Sequence, residues 1–271
     1  MNSGDPDLNR AAPIIAAVRQ RAPMVHCVSA TVSMSIVADG LLAAGVRPMM
    51  TETAQEAPVV TSVADALSVN FGTLSTDAMD GIPQTVKAAR KAGHPWVLDP
   101  TAIGVAPIRT AMARDLVASA PSVVRGNASE ILALLGAGGG RGADTSDSPD
   151  TARRAAEEIA ARTHGTVAVS GAVDLLVDGS SPGHVVRIQR GDPMLTRVTG
   201  TGCLLGALTA ACAVVSHPFD AAVAATIWLN VAGERAAARA TGPGSFRVER
   251  LDALDHVGSE AQTLAERGQD S

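Results

Sequence analysis

Aromatic residues are scarce in this chain: among 271 residues there is no Tyr, two are Trp and three are Phe. Proteins bind single-stranded bases by stacking them on aromatic side chains, and this chain has few such side chains. The net charge is −5, whereas nucleic-acid binders normally carry a basic face. The composition therefore predicts that nucleic acid is not a partner.

Lysine is almost missing. Lys87 and Lys91 are the two lysines among 22 basic residues, and the others are all Arg. Neither lysine follows a glycine-rich turn, and the phosphate-binding P-loop requires Gly-Lys. The chain is therefore not a P-loop protein.

Cysteine is also rare, with Cys27, Cys203 and Cys212 scattered along the chain. An odd, dispersed set does not make a disulfide framework. Cys203 and Cys212 lie nine positions apart, which places them on opposite faces of a helix. This spacing excludes a metal site shared by that pair.

No apolar run is long enough to cross a bilayer. The longest uncharged stretch, 198–219, is interrupted by Gly and Pro, and only about 13 residues of it are strongly apolar, against the ~20 that a span needs. The first five residues show no basic region followed by an apolar run, so no signal peptide is visible. These features predict a cytoplasmic protein with no membrane partner.

Short apolar runs alternate with longer helical patterns, and this alternation predicts an α/β fold. Hydrophobic residues make up 46% of the chain and charged residues 18%, which is typical of globular proteins. The predicted strands are 24–27, 46–50, 66–70, 96–99, 122–125 and 166–170, and the predicted helices are 31–44, 53–65, 83–92, 108–119, 128–135 and 151–163. Strand followed by helix, repeated, indicates a mostly parallel sheet covered by helices on both faces.

The pattern changes after Ser170. Two runs, 173–177 and 184–189, flank a glycine-rich turn and predict an antiparallel hairpin. Two apolar helices, 203–216 and 220–240, and an amphipathic one, 249–266, follow. The glycine-rich segment 136–142 predicts a flexible loop, and a match to GxGxxA at 138–143 is read as coincidence because it follows a helix. We expect one domain over residues 1–271.

The sharpest local signal is Val-Thr-Gly-Thr-Gly-Cys at 198–203, directly before an apolar helix. Free N–H groups at a helix start, together with the positive end of the helix dipole, form an anion site. Gly200, Thr201 and Gly202 could therefore hold a moving phosphoryl group. The alternative is a plain glycine-rich turn before a core helix.

Cys203 falls in the first turn of that helix. A helix N-terminus lowers a thiol pKa, which would favour a thiolate able to accept the proton of a substrate hydroxyl. The alternative is a small buried core residue, which is the more common environment of a free cysteine.

Polar residues also follow three of the predicted strands, at the edge where ligands bind in parallel sheets. Asp99 is placed to hold Mg²⁺ directly or through water, or it simply starts a turn. Arg125 could clamp phosphate in place of a lysine, and Ser170 could touch nucleotide. Asn127 and Glu130 could share a site or form a helix capping box.

These pieces, in this order, resemble the hydroxyethylthiazole kinase family from about residue 23 to residue 254. The segments that carry the resemblance are 24–27, 39–50, 70–74, 97–100, 125–131, 198–203 and 242–246. The resemblance implies a ribokinase-like fold, a homotrimer, and transfer of phosphate from ATP, with Mg²⁺, to the primary alcohol of hydroxyethylthiazole in thiamine salvage.

The resemblance also assigns residues. Met50 and Gly200 would contact the thiazole, and Arg125 and Ser170 would bind ATP. Cys203 takes the place of the base, with Gly200, Thr201 and Gly202 forming the anion hole. Asp99 and Glu130 would organise Mg²⁺ and its waters.

The sequence departs from the family pattern near its first strand. Ala30, Ser35 and Asp39 stand where the family usually has Asn, and Thr101-Ala102 replaces the usual Val-Gly. The residues expected to bind phosphate match the family pattern, whereas residues expected near the alcohol differ from it. Two alternatives therefore stay open: a kinase for another hydroxyalkyl heterocycle such as a hydroxymethylpyrimidine, and a ligand-binding relative that has lost catalysis.

Overall fold

A single sheet organises the computed structural model, which describes residues 5–136 and 149–269. The strands are β1 (Met24–Val28), β2 (Arg47–Met49), β3 (Ala66–Asn70), β4 (Trp96–Asp99), β5 (Val123–Asn127), β6 (Thr166–Ser170), β7 (Asp174–Asp178) and β8 (Val185–Ile188). Across the described ranges they lie in the order β2-β1-β3-β4-β5-β6-β7-β8. Neighbours from β2 to β6 are parallel, while β7 and β8 are antiparallel additions.

Helices cover both faces of the sheet, as the alternating pattern predicts. They are α1 (Pro6–Arg21), α2 (Met34–Ala43), α3 (Ala57–Val63), α4 (Thr76–Ala92), α5 (Pro107–Val117), α6 (Ala128–Leu134), α7 (Arg153–Thr163), α8 (Thr201–Ala213), α9 (Pro218–Ala237) and α10 (Pro243–Gln269). One apolar core packs under α1, α2, α8, α9 and α10, and a second packs under α4 to α7. A parallel sheet buried on both faces explains why its strands read as continuous apolar runs.

Each predicted strand is present, with ends that match or are shifted by at most two residues, and the predicted hairpin is confirmed as β7 and β8. The helix predicted at 83–92 begins earlier, at Thr76, because the Ser75 hydroxyl accepts the Ala78 N–H and caps it. Helix α1 was not predicted. Arg and Pro residues interrupt its apolar residues, yet Leu8 and Ile15 are fully buried.

Asp150, which directly precedes the helix predicted at 151–163, does not cap it. Helix α7 begins after Ala152 without a side-chain cap, and the Asp150 carboxylate instead pairs with Arg187 of β8. Apart from Gly136, the glycine-rich segment 136–142 lies outside the described residues, and so does the GxGxxA match at 138–143. No helix of the described ranges is both long enough and apolar enough to span a membrane.

The glycine turn, residues 198–203, leads into helix α8 over the middle of the sheet. The helix packs on β3 and β4, and its residues from Leu204 to Cys212 are buried. Its N-cap is Gly200, so the helix begins near the carboxyl ends of the central strands. The fold therefore brings residue 200 next to residues that lie about a hundred positions earlier in the chain.

Candidate active site

Three neighbouring strands contribute polar side chains at or near their carboxyl ends. Asp99 ends β4, Arg125 lies in β5, and Ser170 ends β6. Arg125 joins the other two: its Nη1 donates to Oδ2 of Asp99 over 3.0 Å, and its Nη2 donates to Oγ of Ser170 over 2.8 Å. The structure thus brings together three residues that the sequence predicts for nucleotide and metal.

Arg125 also reaches the start of α8. Its Nη1 donates to the main-chain oxygen of Gly202 over 3.0 Å. The Nε group has no hydrogen-bond partner among the described residues. Burial lowers the pKa of this guanidinium, but the nearby Asp99 and Glu130 carboxylates more than offset burial, so its pKa is raised. Arg125 is therefore a fixed positive charge that holds the strand ends against the glycine turn.

Asn70 is a site residue that the sequence analysis missed. It ends β3 in register with Asp99, and its Nδ2 donates to Oδ2 of Asp99 over 2.7 Å and to Oγ1 of Thr101 over 2.8 Å. Its Oδ1 accepts the N–H of Gly72 over 2.8 Å. A polar residue at the carboxyl end of a central parallel strand was the available signal.

Glu130 forms the capping box that was one of the two predicted alternatives. Asn127 Oδ1 accepts the Glu130 N–H, and Glu130 Oε2 accepts the Asn127 N–H, each over 2.9 Å. The other oxygen, Oε1, accepts the N–H of Ala102 over 2.8 Å. Burial, and then repulsion by the Asp99 carboxylate, raise the pKa of Glu130.

The two carboxylates fit a divalent cation whose remaining ligands are water and phosphate. No group of three or more His, Cys, Asp or Glu side chains converges among the residues that the structure describes, so the protein offers no closed cage. Mg²⁺ is usually held by one or two carboxylates together with substrate phosphates. The Asp99 carboxylate raises the pKa of Glu130, and a cation bound nearby would relieve this repulsion.

The glycine turn adopts the backbone that the predicted anion site needs. Gly200 has φ +84°, a left-handed conformation that favours glycine, and an added Cβ would lie 3.1 Å from Cβ of Ser33. The first helical bond runs from Leu204 N–H to Gly200 O over 2.9 Å. The amides of Thr201, Gly202 and Cys203 precede that bond and are the orphan donors of the helix start.

Cys203 lies half-buried in the first turn of α8. The expectation of a lowered thiol pKa is wrong for this structure. Burial, followed by the Asp99 charge, raises the pKa of Cys203, and the Ser33 hydrogen bond and Arg125 offset only part of this rise. The helix start alone does not make this thiol acidic because it lies between apolar packing and a carboxylate.

A cavity of about 640 Å³ opens beside the strand ends and the glycine turn. Arg125, Ser170, Gly200, Thr201 and Gly202 line it. Its size suits a small ligand of several hundred cubic ångströms. Five residues predicted for phosphate and nucleotide therefore face one cavity.

A largely buried polar pair, which the sequence analysis missed, also lines the cavity. Asn230 Nδ2 donates to Oδ2 of Asp174 over 2.9 Å, and both residues line the cavity. Burial raises the pKa of Asp174, and its hydrogen bonds to the Gly171 N–H and Asn230 counter this only in part. A lone Asn inside the apolar helix α9 was the available signal.

Met50 is not among the residues that line this cavity. It follows β2, at the far edge of the sheet, and packs partly buried against the core under α1 and α2. Of the two predicted thiazole contacts, Gly200 therefore lines the cavity and Met50 does not.

Comparison with known proteins places the chain in a family. The model of the hydroxyethylthiazole kinase family matches residues 15–260. Hydroxyethylthiazole kinase of Kineococcus radiotolerans is 47% identical over 256 residues, covering 92% of this chain and 92% of its own. The same enzyme of Corynebacterium glutamicum (strain R) is 46% identical over 250 residues, covering 90% and 92%.

Solved structures agree with the fold. A hydroxyethylthiazole kinase protein of Pyrococcus horikoshii OT3 superposes with a TM-score of 0.83 at 33% identity, over 91% of this chain and 92% of that chain. A ribokinase-like superfamily protein of Enterococcus faecalis shares the fold alone, with a TM-score of 0.65 at 11% identity over 92% and 94%. The predicted ribokinase-like architecture is confirmed, and the chain belongs to the hydroxyethylthiazole kinase family.

Proposed function

We propose that this protein transfers the terminal phosphate of ATP, with Mg²⁺, to the primary alcohol of 4-methyl-5-(2-hydroxyethyl)thiazole, in thiamine salvage. The observation that carries the proposal is the start of α8. Gly200, Thr201 and Gly202 line the cavity, and the first amides of the helix lie outside its own hydrogen-bond ladder. Family membership and the names of the relatives support the same reaction.

In this mechanism the glycine turn holds the moving phosphoryl group. The charge of that group spreads over its oxygens, which the N–H groups of Thr201, Gly202 and Cys203 and the helix dipole can bind. One such fixed donor is typically worth about 10² to 10³ in rate. Arg125 and Ser170 would contact ATP from the strand side, where both line the cavity.

Asp99 and Glu130 would hold Mg²⁺, Asp99 directly or through water and Glu130 through the outer waters, because backbone donors already use both Glu130 oxygens. When bound, the ion neutralises the charge on the β and γ oxygens of ATP. Asn70 and Arg125 fix the Asp99 carboxylate on its Oδ2 side. Cys203 would accept the alcohol proton in the fraction of molecules whose thiol is ionised.

The residues expected near the alcohol leave a second substrate open. Ala30, Ser35 and Asp39 replace the expected Asn residues near the end of β1, and Met50 would complete the pocket for the heterocycle. A kinase for a hydroxymethylpyrimidine is the second candidate, because Ala30 and Ser35 are shorter than the Asn residues expected at these positions.

The test is a coupled ADP-release assay with Mg²⁺ and a panel of hydroxyethylthiazole, hydroxymethylpyrimidine and pyridoxal. We expect the largest kcat/KM with the thiazole. A larger value with the pyrimidine would replace the substrate, and thiazole binding without ADP release from any alcohol would favour a relative that has lost catalysis.

We further propose a cytoplasmic homotrimer in which residues 1–271 form one kinase domain. Support comes from apolar side chains exposed beside the edge strand β2: Leu42 is 61% exposed, Val59 65% and Val63 70%. Sedimentation equilibrium of the full chain tests this assembly, and a monomer at micromolar concentration would overturn it.

A further inference from the structure

A buried arginine reaches the phosphoryl site from helix α10. Arg250 is fully buried, with a relative exposure of 0%. Its Nη1 donates to Oγ1 of Thr201 over 2.5 Å, across 49 positions of sequence. Its Nε and Nη2 have no hydrogen-bond partner among the described residues. A guanidinium so placed reaches the first residue of α8 and carries donors that its protein surroundings do not use.

Arg247 is the charged neighbour that acts on Arg250, and its charge is also positive. Burial, and then the nearby Arg247, lower the pKa of Arg250 to about 10, so the group is still protonated at neutral pH. The start of α8 adds the positive end of a helix dipole. Burying a charge without a partner is costly, and an anion at the helix start supplies the missing partner.

Thr201 connects this charge to the cavity. Because its oxygen accepts a hydrogen bond from Arg250, its own hydrogen must point elsewhere. The acceptor that the protein provides, the main-chain oxygen of Val198, lies 3.4 Å away, which is long for an O–H···O bond. Thr201 also lines the cavity. An anion in the cavity is therefore the better acceptor for this hydroxyl.

We propose that Arg250 is a positioning residue for phosphoryl transfer: it fixes the Thr201 hydroxyl as a donor towards the terminal phosphate and adds positive charge behind it. This inference deepens the proposed function and rests on it. The competing explanation is that Arg250 only holds α10 in place.

Arg19 provides the matched control for that explanation. It is a mostly buried arginine on α1 that bonds α10 through Asp255 over 2.9 Å and through Gln262 over 3.0 Å. It does not line the cavity. Arg19→Met therefore loosens α10 without touching Thr201.

The first experiment compares turnover of Arg250→Met, Arg250→Lys, Thr201→Val, the Arg250→Met/Thr201→Val double variant and Arg19→Met. We expect Arg250→Met to lower kcat about 10- to 100-fold, with the KM for the alcohol changed less than about twofold. Arg250→Lys should recover part of this loss. The double variant should lose less than the two single losses added as free energies, because the interaction between Arg250 and Thr201 can be lost only once. Additive losses, or a kcat for Arg250→Met equal to that of Arg19→Met, would overturn the inference.

A second experiment needs no turnover. Calorimetry without alcohol compares ATP and adenosine binding to the wild type and to Arg250→Met. We expect ATP to bind about tenfold more weakly to the variant and adenosine to bind equally, because only ATP carries the terminal phosphate. Equal loss for both ligands, or no loss for either, would overturn the inference. A wild type that binds ATP but phosphorylates no alcohol would overturn the proposed function while leaving this comparison decisive.

Discussion

Asp99 and Arg125 form a buried ion pair between adjacent parallel strands, with Nη1 and Oδ2 3.0 Å apart and side chains 2% and 8% exposed. The sheet register explains the pair. Leu98 of β4 lies opposite Val124 of β5, so the next residue on each strand is the charged one. Sheet register alone therefore sets two residues that are 26 positions apart in the chain side by side at the ligand-binding edge.

Replacing Arg125 by Met should destabilise the fold strongly. The change leaves Asp99 buried with Asn70 as its remaining donor, and breaking a buried pair from one side typically costs about 3 to 5 kcal/mol. Urea unfolding measures the loss. Arg187→Met is the control, because its pair with Asp150 is exposed and worth about 1 kcal/mol or less. Equal losses in the two variants would contradict the prediction.

Gly200→Val should abolish turnover, whereas Gly183→Val should not. Both glycines have left-handed backbones, with φ +84° and +85°, so both variants should lose about 1 to 2 kcal/mol of stability to strain. An added Cβ at Gly183 meets nothing within 4 Å, while at Gly200 it meets Ser33 and Ile36 and displaces the anion site. Steady-state kinetics and thermal unfolding of both variants provide the check. Similar activities in the two would show that the turn at 200 does not hold phosphate.

The sequence predicted the sheet well because each strand is a short apolar run bounded by turn residues. It also located Asp99, Arg125 and Ser170, since a parallel sheet brings the carboxyl ends of its strands to one edge. Arg250 could not be predicted from the sequence, because an arginine in an amphipathic helix is normally exposed. Its burial depends on how α10 packs against α1, α2 and α9. The pKa of Cys203 was mispredicted for a similar reason: the helix start is visible in the sequence, but burial and the Asp99 charge are not.

Asp99→Asn should raise the Mg²⁺ concentration needed for half-maximal activity about tenfold or more, because the carboxylate proposed to hold the ion directly or through water loses its charge. EDTA should abolish wild-type turnover, and added Mg²⁺ should restore it. Asp178→Asn is the control: it also removes a buried carboxylate, but one whose partners are Ser180 and His184, away from the cavity. An unchanged Mg²⁺ requirement in Asp99→Asn would remove the metal role from this residue.

Cys203→Ala should lower kcat about 10²-fold and leave ATP binding intact, if the thiolate accepts the alcohol proton. Because burial and Asp99 raise the pKa of Cys203, the ionised fraction is small at neutral pH and grows about tenfold per pH unit. The wild-type kcat should therefore climb with pH across the neutral and alkaline range, and the variant should show a flatter profile. The two profiles, measured at saturating substrates, decide the point: parallel profiles would assign the proton to another acceptor.

The two fully buried thiols should make the fold sensitive to alkali. Burial raises the pKa of Cys27 and of Cys212 from 9.0 to about 12. Between these values the unfolded chain releases both thiol protons while the folded chain keeps them. The free energy of unfolding should therefore fall by about 1.4 kcal/mol per pH unit for each thiol, and this stabilisation is fully present below pH 9.

The Cys27→Ala/Cys212→Ala double variant isolates this effect. It starts less stable because two buried side chains become smaller, but its stability should decline more slowly as pH rises from 9 towards 12. Urea unfolding at several pH values compares the two slopes, and every other titrating group, including Cys203 and Arg250, is common to both proteins. Parallel slopes would mean that the thiols ionise in the folded state, which would require water to reach the cores on which α8 and β1 pack.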